Sequence, residues 1–157
     1  RAGIAKVLIP EDNKKDLADI PKNILDNIEV EVGEQHSIIT IHSTQRLIYR
    51  SHAPQQYGDL IQIYFNLQKA RNTSSLASEF LPWSPSDRIP LFGVSLDPIN
   101  ALQVNMLLRF EKPIYYKVQS SADSYSIVIT LFHSEQEQIE SALIINTKPS
   151  QNLRDPQ

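Results

Sequence analysis

The sequence of 157 residues contains no cysteine and only four glycines, against ten prolines. Without cysteine, disulfides, thiolate zinc sites and thiol nucleophiles are all excluded. The scarcity of glycine argues against the glycine-rich loops that cradle phosphate groups. No apolar run approaches the roughly 18 residues that a membrane-spanning helix needs. We therefore predict no membrane span, and the lack of cysteine leaves the compartment open.

Charge is balanced and hydropathy is moderate. The net charge is −3 and the mean hydropathy is −0.30, which are typical of a soluble globular protein of one ordinary domain or two small ones. Nothing in this balance attracts nucleic acid or acidic lipid, so we predict no nucleic-acid partner. The first residue is Arg1 rather than methionine, and no signal peptide is visible, which indicates a processed or trimmed piece.

The composition changes after residue 34. Residues 1–34 hold eight acidic and five basic side chains, whereas residues 35–157 hold ten of each. Apolar and polar runs alternate in the first part in a way that predicts a short β-α-β segment with parallel strands. Its predicted elements are a strand over 4–9, helical turns over 13–20, a second turn at Ile24, Leu25 and Ile28, and a strand over 29–32.

From residue 35 the hydrophobic pattern has a period of two, which predicts β-strands and hairpins. One constant shift along the chain lays Ile41 on Leu108, Ile61 on Val128 and Phe65 on Phe132 without a gap. The shift predicts two related hairpin units, with all six of these residues buried. We accordingly expect a mainly β protein, α+β overall: a small β-sandwich of the two units, preceded by the β-α-β segment.

These patterns divide the chain into three parts. The predicted parts are a non-catalytic β-α-β segment over 1–34, a β-rich module over 35–145 with units 36–67 and 102–133, and a tail or linker over 146–157. Between the units, the Ser- and Pro-rich stretch 71–98 is expected to be irregular, with Trp83, Phe80 and Phe92 holding it to the sheet. An exposed proline-bracketed Trp83 peptide ligand is the alternative. Ser134 and Glu137 form a capping-box pattern that predicts a helix from 134 to about 142.

The front segment closely resembles the end of the proteolytic domain of Lon proteases. The matching residues, in order, are the run Lys6 to Pro10, the spaced set Glu11, Asn13, Lys14, Asp16 and Leu17, and then Ile20, Pro21 and Asn23. The resemblance covers about a fifth of the chain and fades after about residue 32, where the family would form a closing helix.

The resemblance to Lon implies ancestry or assembly rather than activity. The family's catalytic serine and lysine belong to motifs upstream of the matching segment, and neither these motifs nor the ATPase motifs occur here. Lys6 is not the catalytic lysine, because it begins the strand that follows the family's lysine-bearing helix. We therefore expect no enzymatic activity. A segment this short cannot bury a core alone, so it would pack on the β module or form a homodimer through residues 1–34.

Residues 36–132 more faintly resemble the AMIN-type β modules of bacterial envelope proteins. The stretch Leu108–Val118, followed by a closing strand over 127–131, fits their pattern of alternating, aromatic and closing strands. The resemblance implies a noncatalytic module that binds peptidoglycan or a protein partner in the periplasm or cell envelope. Lon works in the cytoplasm, so the two resemblances conflict, and a chimera, whether a natural fusion or an engineered or mis-joined sequence, would reconcile them. The localisation is left unknown.

Catalytic and metal constellations have little support in the sequence. His36 and His42 are six residues apart along a strand, about 20 Å, which is too far for one metal. His52 and His133 would have to converge on them without any motif to indicate it. No Gly-x-Ser-x-Gly motif occurs, and the glutamates near residue 137 fit a solvated helix face. We predict no catalytic residues, no metal and no cofactor.

The better candidate is a basic and aromatic strand face. Such a face can stack on sugars and pair with carboxylates. Its predicted residues are Arg46, Tyr49, Arg50, His52, Lys112, Tyr115, Tyr116 and Lys117. The alternative interpretation places the tyrosines half in the core, with the cations extending around them. The expected function is a noncatalytic binding or scaffolding module of the envelope; the alternative is a fragment of a Lon-type ATP-dependent serine protease that lacks its catalytic residues.

Overall fold

A computed structural model describes residues 23–70 and 77–141 of the chain. These residues form eight β-strands and one short helix over 135–141. The strands are β1 (Leu25–Val32), β2 (His36–Ser43), β3 (Leu47–Ala53), β4 (Tyr57–Leu67), β5 (Glu79–Pro82), β6 (Leu91–Asn100), β7 (Gln103–Ser120) and β8 (Ser126–Phe132). The expectation of a mainly β protein is confirmed.

All pairings between the strands are antiparallel, and they join the eight strands into one sheet. The main order is β1-β2-β8-β7-β4-β3, while β6 pairs with β7 and β5 pairs with β6. The 18-residue strand β7 organises this sheet. Its first half lies between β4 and β6, and its second half pairs with β8, with the change of partner near Pro113.

One apolar core lies against the inner face of the strands. Most of the alternating residues that the sequence pattern assigns to this face are buried, including Ile39, Ile61 and Met106, each with no exposed surface. Phe110 is only 4% exposed, as its strongly alternating strand predicts. The core receives side chains from strands on both sides of residue 34, because Ile24 and Leu25 belong to the same cluster.

A side chain bridges the edge of β1 to β5. The carboxylate of Glu79 accepts the backbone N–H of Ile24 through Oε2 and the N–H of Leu25 through Oε1, both at 2.8 Å. Both donors belong to buried residues, and a buried N–H without an acceptor is costly. The carboxylate therefore does for the start of β1 what a neighbouring strand would otherwise do.

The front segment differs from its prediction. Residues from Leu25 onward form a strand instead of a helical turn, and this strand pairs antiparallel with β2 along its whole length. The physical reason is the partner: β2 offers an edge with which Leu25–Val32 can pair, and tertiary pairing overrides weak local helical spacing. The predicted elements over 4–9 and 13–20 lie outside the described residues, as does the tail over 146–157.

The strand pairings repeat along the chain. Ile41 of β2 pairs with Ile127 of β8, and Leu108 of β7 pairs with Ile61 of β4. The first strand of each predicted unit therefore pairs with the closing strand of the other. Leu108 is thus the counterpart of Ile41, and Ile127 is the counterpart of Ile61.

The gapless shift is therefore wrong by one residue at the closing strand. The extra residue is Arg50, which is skipped in the pairing of β3 with β4 as a β-bulge between Tyr49 and Ser51. The counterpart of Ile61 is the buried Ile127, while Val128 is half-buried, so the expected burial of Val128 is also wrong. A shift by one residue exchanges the two faces of a strand, which is why the error appears as a burial error.

The repeat also includes β1 and β6. Ile28 of β1 pairs with Ile41, and Val94 of β6 pairs with Leu108, so the two strands lie beside equivalent partners. Both pairings contain a bulge at the matching position, at residue 26 in β1 and residue 92 in β6. Residues 25–32 are thus the first strand of a four-strand pattern that residues 91–132 repeat.

The crossing between the halves is partly extended. Trp83 is half-buried and packs against the core together with Leu81, as expected for Trp83, but Phe80 and Phe92 are 61% and 44% exposed. Phe80 instead lies across the backbone of Gly93. A Cβ built at Gly93 would come within 2.6 Å of the Phe80 ring, so this contact requires glycine.

Candidate functional site

The eight predicted surface residues do not form one face. Tyr49, His52 and Tyr116 gather at one end of the core, whereas Lys112 and Tyr115 line a groove near the bend of β7. Because side chains alternate between the two faces of a strand, Tyr115 and Tyr116 point to opposite faces. The predicted face therefore divides into separate places.

The Tyr49, His52 and Tyr116 cluster closes one end of the core. The Tyr49 hydroxyl lies 2.6 Å from His52 Nδ1, and the His52 and Tyr116 ring centroids are 6.4 Å apart. Tyr116 is buried and its hydroxyl donates to the carbonyl of Pro54. Burial raises the pKa of Tyr116 to about 12. These contacts satisfy the polar groups of the cluster within the fold.

The remaining predicted cations lie apart from one another. Arg46 Nε donates to the carbonyl of Asp123 at 3.2 Å, and Arg50 is the exposed bulge residue of β3. The N–H of Tyr125 and the hydroxyl of Ser121 hold the pKa of the Asp123 carboxyl below its ordinary value. Lys117 lies in the second half of β7, where it pairs with Thr130 of β8.

A groove of about 220 Å³ lies where β7 bends. We call it the tyrosine groove; its polar walls are Tyr57, Arg88, Lys112, Tyr115 and His133, and its floor is Ile114, Leu131 and Phe132. The floor residues are all buried. Four separate segments of the chain thus meet around one concave, apolar surface with polar side chains at its rim, which is the usual form of a small-ligand site.

Two tyrosines form one wall of the tyrosine groove. Tyr57 and Tyr115 are direct cross-strand partners, and their ring centroids lie 4.3 Å apart with a 40° tilt. Burial, followed by the Glu135 carboxylate and Tyr57, raises the pKa of Tyr115. Neither tyrosine hydroxyl has a hydrogen-bond partner among residues 23–70 and 77–141.

Arg88 is held at the rim by neutral acceptors. Its Nη1 donates to the carbonyls of Gly33 at 2.6 Å and Glu34 at 2.9 Å, and lies 3.1 Å from Nε2 of His133. No carboxylate within the described part of the chain pairs with this guanidinium. Within the same residues, the Lys112 ammonium has no carboxylate partner, and the Asp87 carboxylate has no cationic partner. Two uncompensated cations and one carboxylate thus border the groove.

Sequence reasoning missed Tyr57, Arg88 and His133. Tyr57 is the first residue of β4, Arg88 lies in the irregular crossing between β5 and β6, and His133 follows the last strand. No periodic pattern marks such positions. The available signal was the pair Tyr57 and Tyr115. They can be recognised as cross-strand neighbours only once β4 is known to pair with β7.

A serine, a histidine and a glutamate form a hydrogen-bonded row across β1, β2 and β8. His42 Nε2 lies 2.7 Å from Glu29 Oε1, and His42 Nδ1 lies 2.9 Å from Ser126 Oγ. A nucleophilic serine also needs donors aimed at the developing oxyanion. The N–H of Ser126 already donates to Ser121 Oγ. The row therefore joins three strands, and the Ser126 N–H is not available as an oxyanion donor.

Metal clusters and membrane-spanning helices are both absent from the described residues. Within 23–70 and 77–141, no group of three or more His, Asp or Glu side chains could hold a metal ion. Within the same residues, no helix has the length and hydropathy to cross a bilayer.

Comparison with known proteins places the similarity at the front of the chain. The Lon protease (S16) C-terminal proteolytic domain matches residues 1–44. The resemblance of residues 1–32 to this domain is confirmed, and the match continues through β2. Among described residues, it covers β1 and β2. No solved structure shows a significant match to the chain.

Curated Lon proteases give the same result. The Lon protease of Rhizobium meliloti is 47% identical over 47 residues, which are 30% of this chain and 6% of that protein. The Lon protease of Brucella abortus is 51% identical over 45 residues, 25% of this chain and 6% of that protein. The Lon protease of Azorhizobium caulinodans is 63% identical over 30 residues, which are 19% of this chain and 4% of that protein. The chain thus covers only about 6% of the length of its first relatives.

These matches correct the expected function. The prediction of a noncatalytic envelope module that contacts peptidoglycan or a protein partner is wrong, because the similarity found is to a protease domain and to Lon proteases. The findings favour the alternative, a fragment of a Lon-type protease. The AMIN resemblance of residues 36–132 and the chimera interpretation stay predictions, as do the homodimer through residues 1–34, the domain boundaries and the compartment.

Proposed function

We propose that this chain is part of a Lon-type ATP-dependent serine protease, in which residues 1–44 supply the end of the proteolytic domain. The observation that carries the proposal is the match of residues 1–44 to that domain, together with 47% identity to the Rhizobium meliloti protease. Identity at this level over 47 residues is specific, although it covers 30% of the chain.

The described part of the matching segment supports a structural role. β1 and β2 pair along their whole length, and β1 is bound to the rest of the sheet through Glu79. Ile39 and Ile41 of β2 are completely or almost completely buried. We infer that the segment contributes packing surface to the protease, and that residues 45–132 extend the sheet to which it belongs.

We further propose that the chain alone does not hydrolyse peptides. The serine and lysine motifs of the family precede the matching segment and do not occur in this sequence. The serine that comes nearest to a catalytic arrangement, Ser126, has no free N–H with which to stabilise an oxyanion.

A graft tests the proposed kinship. In the Rhizobium meliloti Lon protease, the 47 aligned residues are replaced by those of this chain, and ATP-dependent casein hydrolysis is measured. We expect activity within about threefold of the unmodified protease, a change of less than about 1 kcal/mol in activation free energy. The matched control is a graft of the same residues in scrambled order, which should lose most activity. Equal loss in both grafts would overturn the proposal.

The isolated chain tests the second part. Casein hydrolysis is followed with and without ATP, beside an intact Lon protease as a positive control. We expect no turnover above the blank in either condition. Hydrolysis by the purified chain that a serine-directed inhibitor abolishes would show that this sequence carries its own catalytic groups.

A further inference from the structure

We propose that the tyrosine groove binds a small ligand in which one ring carries one carboxylate or phosphate group. This site is independent of the relation to Lon, because every residue that lines it lies outside the matching segment. Only Gly33 and Glu34, whose carbonyls hold Arg88, lie inside that segment. Three features of the groove support the proposal: its uncompensated cations, its paired tyrosines and its size.

The cations define the end that holds the anion. Arg88 is fixed by two backbone carbonyls and by His133, so its guanidinium keeps its full charge and a set orientation. Its Nε and Nη2 groups have no partner within the described residues, and neither has the Lys112 ammonium. A guanidinium whose Nε and Nη2 lack partners in the described residues, in a groove that an ammonium also lines, matches a carboxylate or phosphate, which can accept two hydrogen bonds from the fork.

The tyrosines define the end that holds the ring. Tyr57 is 49% exposed although its ring lies against Tyr115 and next to an apolar floor. An aromatic pair of this kind presents an apolar wall. Neither hydroxyl uses its donor within the described residues, so each can bind a polar substituent. A ligand ring that covers this wall would also shield the floor residue Ile114 and its neighbours further from water.

The size of the groove limits the ligand. An apolar cavity of about 150 Å³ is enough for benzene, and drug-sized ligands occupy roughly 300–1,000 Å³. A groove of about 220 Å³ therefore suits one ring with one anionic substituent. Asp87 also lies in the lining, and Glu135 is close enough to Tyr115 to raise its pKa. These carboxylates would repel a second anionic group, so we expect the site to select against polyanions.

The test uses four probes and the chain as it exists. Binding of benzoate, phenyl phosphate, phenol and inorganic phosphate is measured by NMR titration and by calorimetry. We expect benzoate or phenyl phosphate to bind at least about tenfold more tightly than phenol and phosphate, a difference of about 1.4 kcal/mol, because each of the latter lacks one half of the ligand. The order of benzoate and phenyl phosphate distinguishes a carboxylate from a phosphate site.

Variants locate the site. Lys112→Gln should weaken benzoate and phenyl phosphate at least about fivefold and leave phenol unchanged, because it removes only charge. Tyr57→Leu should weaken both ring-bearing anions and leave inorganic phosphate unchanged. Arg88 is not used, since its substitution would also release Gly33 and Glu34. Arg50→Gln is the matched control, because Arg50 is exposed and lies outside the groove, and it should change nothing.

Three results would overturn the proposal. The first is no binding of either ring-bearing anion at millimolar concentration by a chain whose unfolding midpoint is normal. The second is equal affinity for benzoate and phenol. The third is an effect of Arg50→Gln as large as that of Lys112→Gln, which would indicate diffuse attraction to surface charge instead of a site.

Discussion

The two halves of the sheet, residues 25–67 and 91–132, use the same pairing scheme but bury their side chains to different extents. Leu25 pairs with Ser43, and its counterpart Leu91 pairs with Phe110. In β1 the inner residue Leu25 is buried but Ile28 and Val30 are only half-buried, whereas Val94 of β6 is completely buried. The halves therefore share register and differ in cover.

The cover comes from neighbours outside the repeated pattern. β6 has β5 along its second edge, whereas β1 has only the Glu79 carboxylate at its start, within the part of the chain that the structure describes. The ends of the core differ in the same way, since Tyr49 is 38% exposed and its counterpart Tyr116 only 1%. Alternation thus decides which side chains face inward, and the surroundings decide how far they are buried.

The largest expected difference concerns the pair Ser43 and Phe110. Phe110→Ala should lower the free energy of unfolding by roughly 3–5 kcal/mol, because it removes a buried ring. Ser43→Ala should cost only about 1 kcal/mol, the loss of the hydroxyl's bonds to Gln45 and Tyr125. Urea denaturation measures both. Equal losses of unfolding free energy in the two variants would show that burial does not account for the difference between the two positions.

Gly93 and Asn27 sharpen the comparison at the edge strands. Gly93→Ala should destabilise by roughly 1–3 kcal/mol, because the new Cβ would lie 2.7 Å from the carbonyl oxygen of Leu81. Asn27→Ala, at the counterpart position of exposed β1, should stay within about 0.5 kcal/mol. Thermal unfolding of both variants provides the test, and a neutral Gly93→Ala would show that β5 does not approach β6 as described.

Tyr116 and Tyr49 should differ in the size of their pH dependence, because burial raises the pKa of both tyrosines and brings that of Tyr116 to about 12. Burial raises the pKa of Tyr116 from its ordinary value of 10.0 to about 12, so the folded protein keeps this proton longer than the unfolded chain. The contribution to stability is complete below pH 10 and is lost as the pH rises toward about 12. Tyr116→Phe should flatten this part of the stability curve.

At neutral pH, Tyr116→Phe should also cost about 1 kcal/mol, because the Pro54 carbonyl loses its donor. Tyr49→Phe is the control: its hydroxyl bond to His52 is exposed, and we expect a loss below about 0.5 kcal/mol. A wild-type curve that is flat between pH 10 and 12 would contradict the burial of the Tyr116 hydroxyl.

The smallest effect is expected from deleting Arg50. Removing this residue would give the β3–β4 hairpin the regular register that β7 and β8 already have, so the cost should stay within about 1 kcal/mol. Inserting one alanine between Tyr116 and Lys117 should cost clearly more, because Tyr116 is buried and its N–H also donates to Gln56. Chemical denaturation ranks the two, and the reverse order would break the equivalence of the halves.

The candidate site was only partly predictable for a related reason. Lys112 and Tyr115 were identified because they lie in a strand with a clear period, whereas Tyr57, Arg88 and His133 were missed because they lie at the very start of a strand, in a connection and after the last strand. Tyr49 and Tyr116 were predicted for a ligand face, but they meet at an end of the core. Local patterns do not encode which distant segments will border the same groove.

By itself, the sequence determined the β class, most of the inward-facing residues and the resemblance of its front to the Lon proteolytic domain. Ile39, Ile61 and Met106 are buried as their alternation predicts, because a period of two leaves each strand only two ways to face. Only the tertiary structure decided that β2 pairs with β8 and β4 with β7, that Arg50 is the extra residue, and that Leu25–Val32 is a strand. Pairing between strands far apart in sequence depends on which edges meet in space, and no local period specifies those edges.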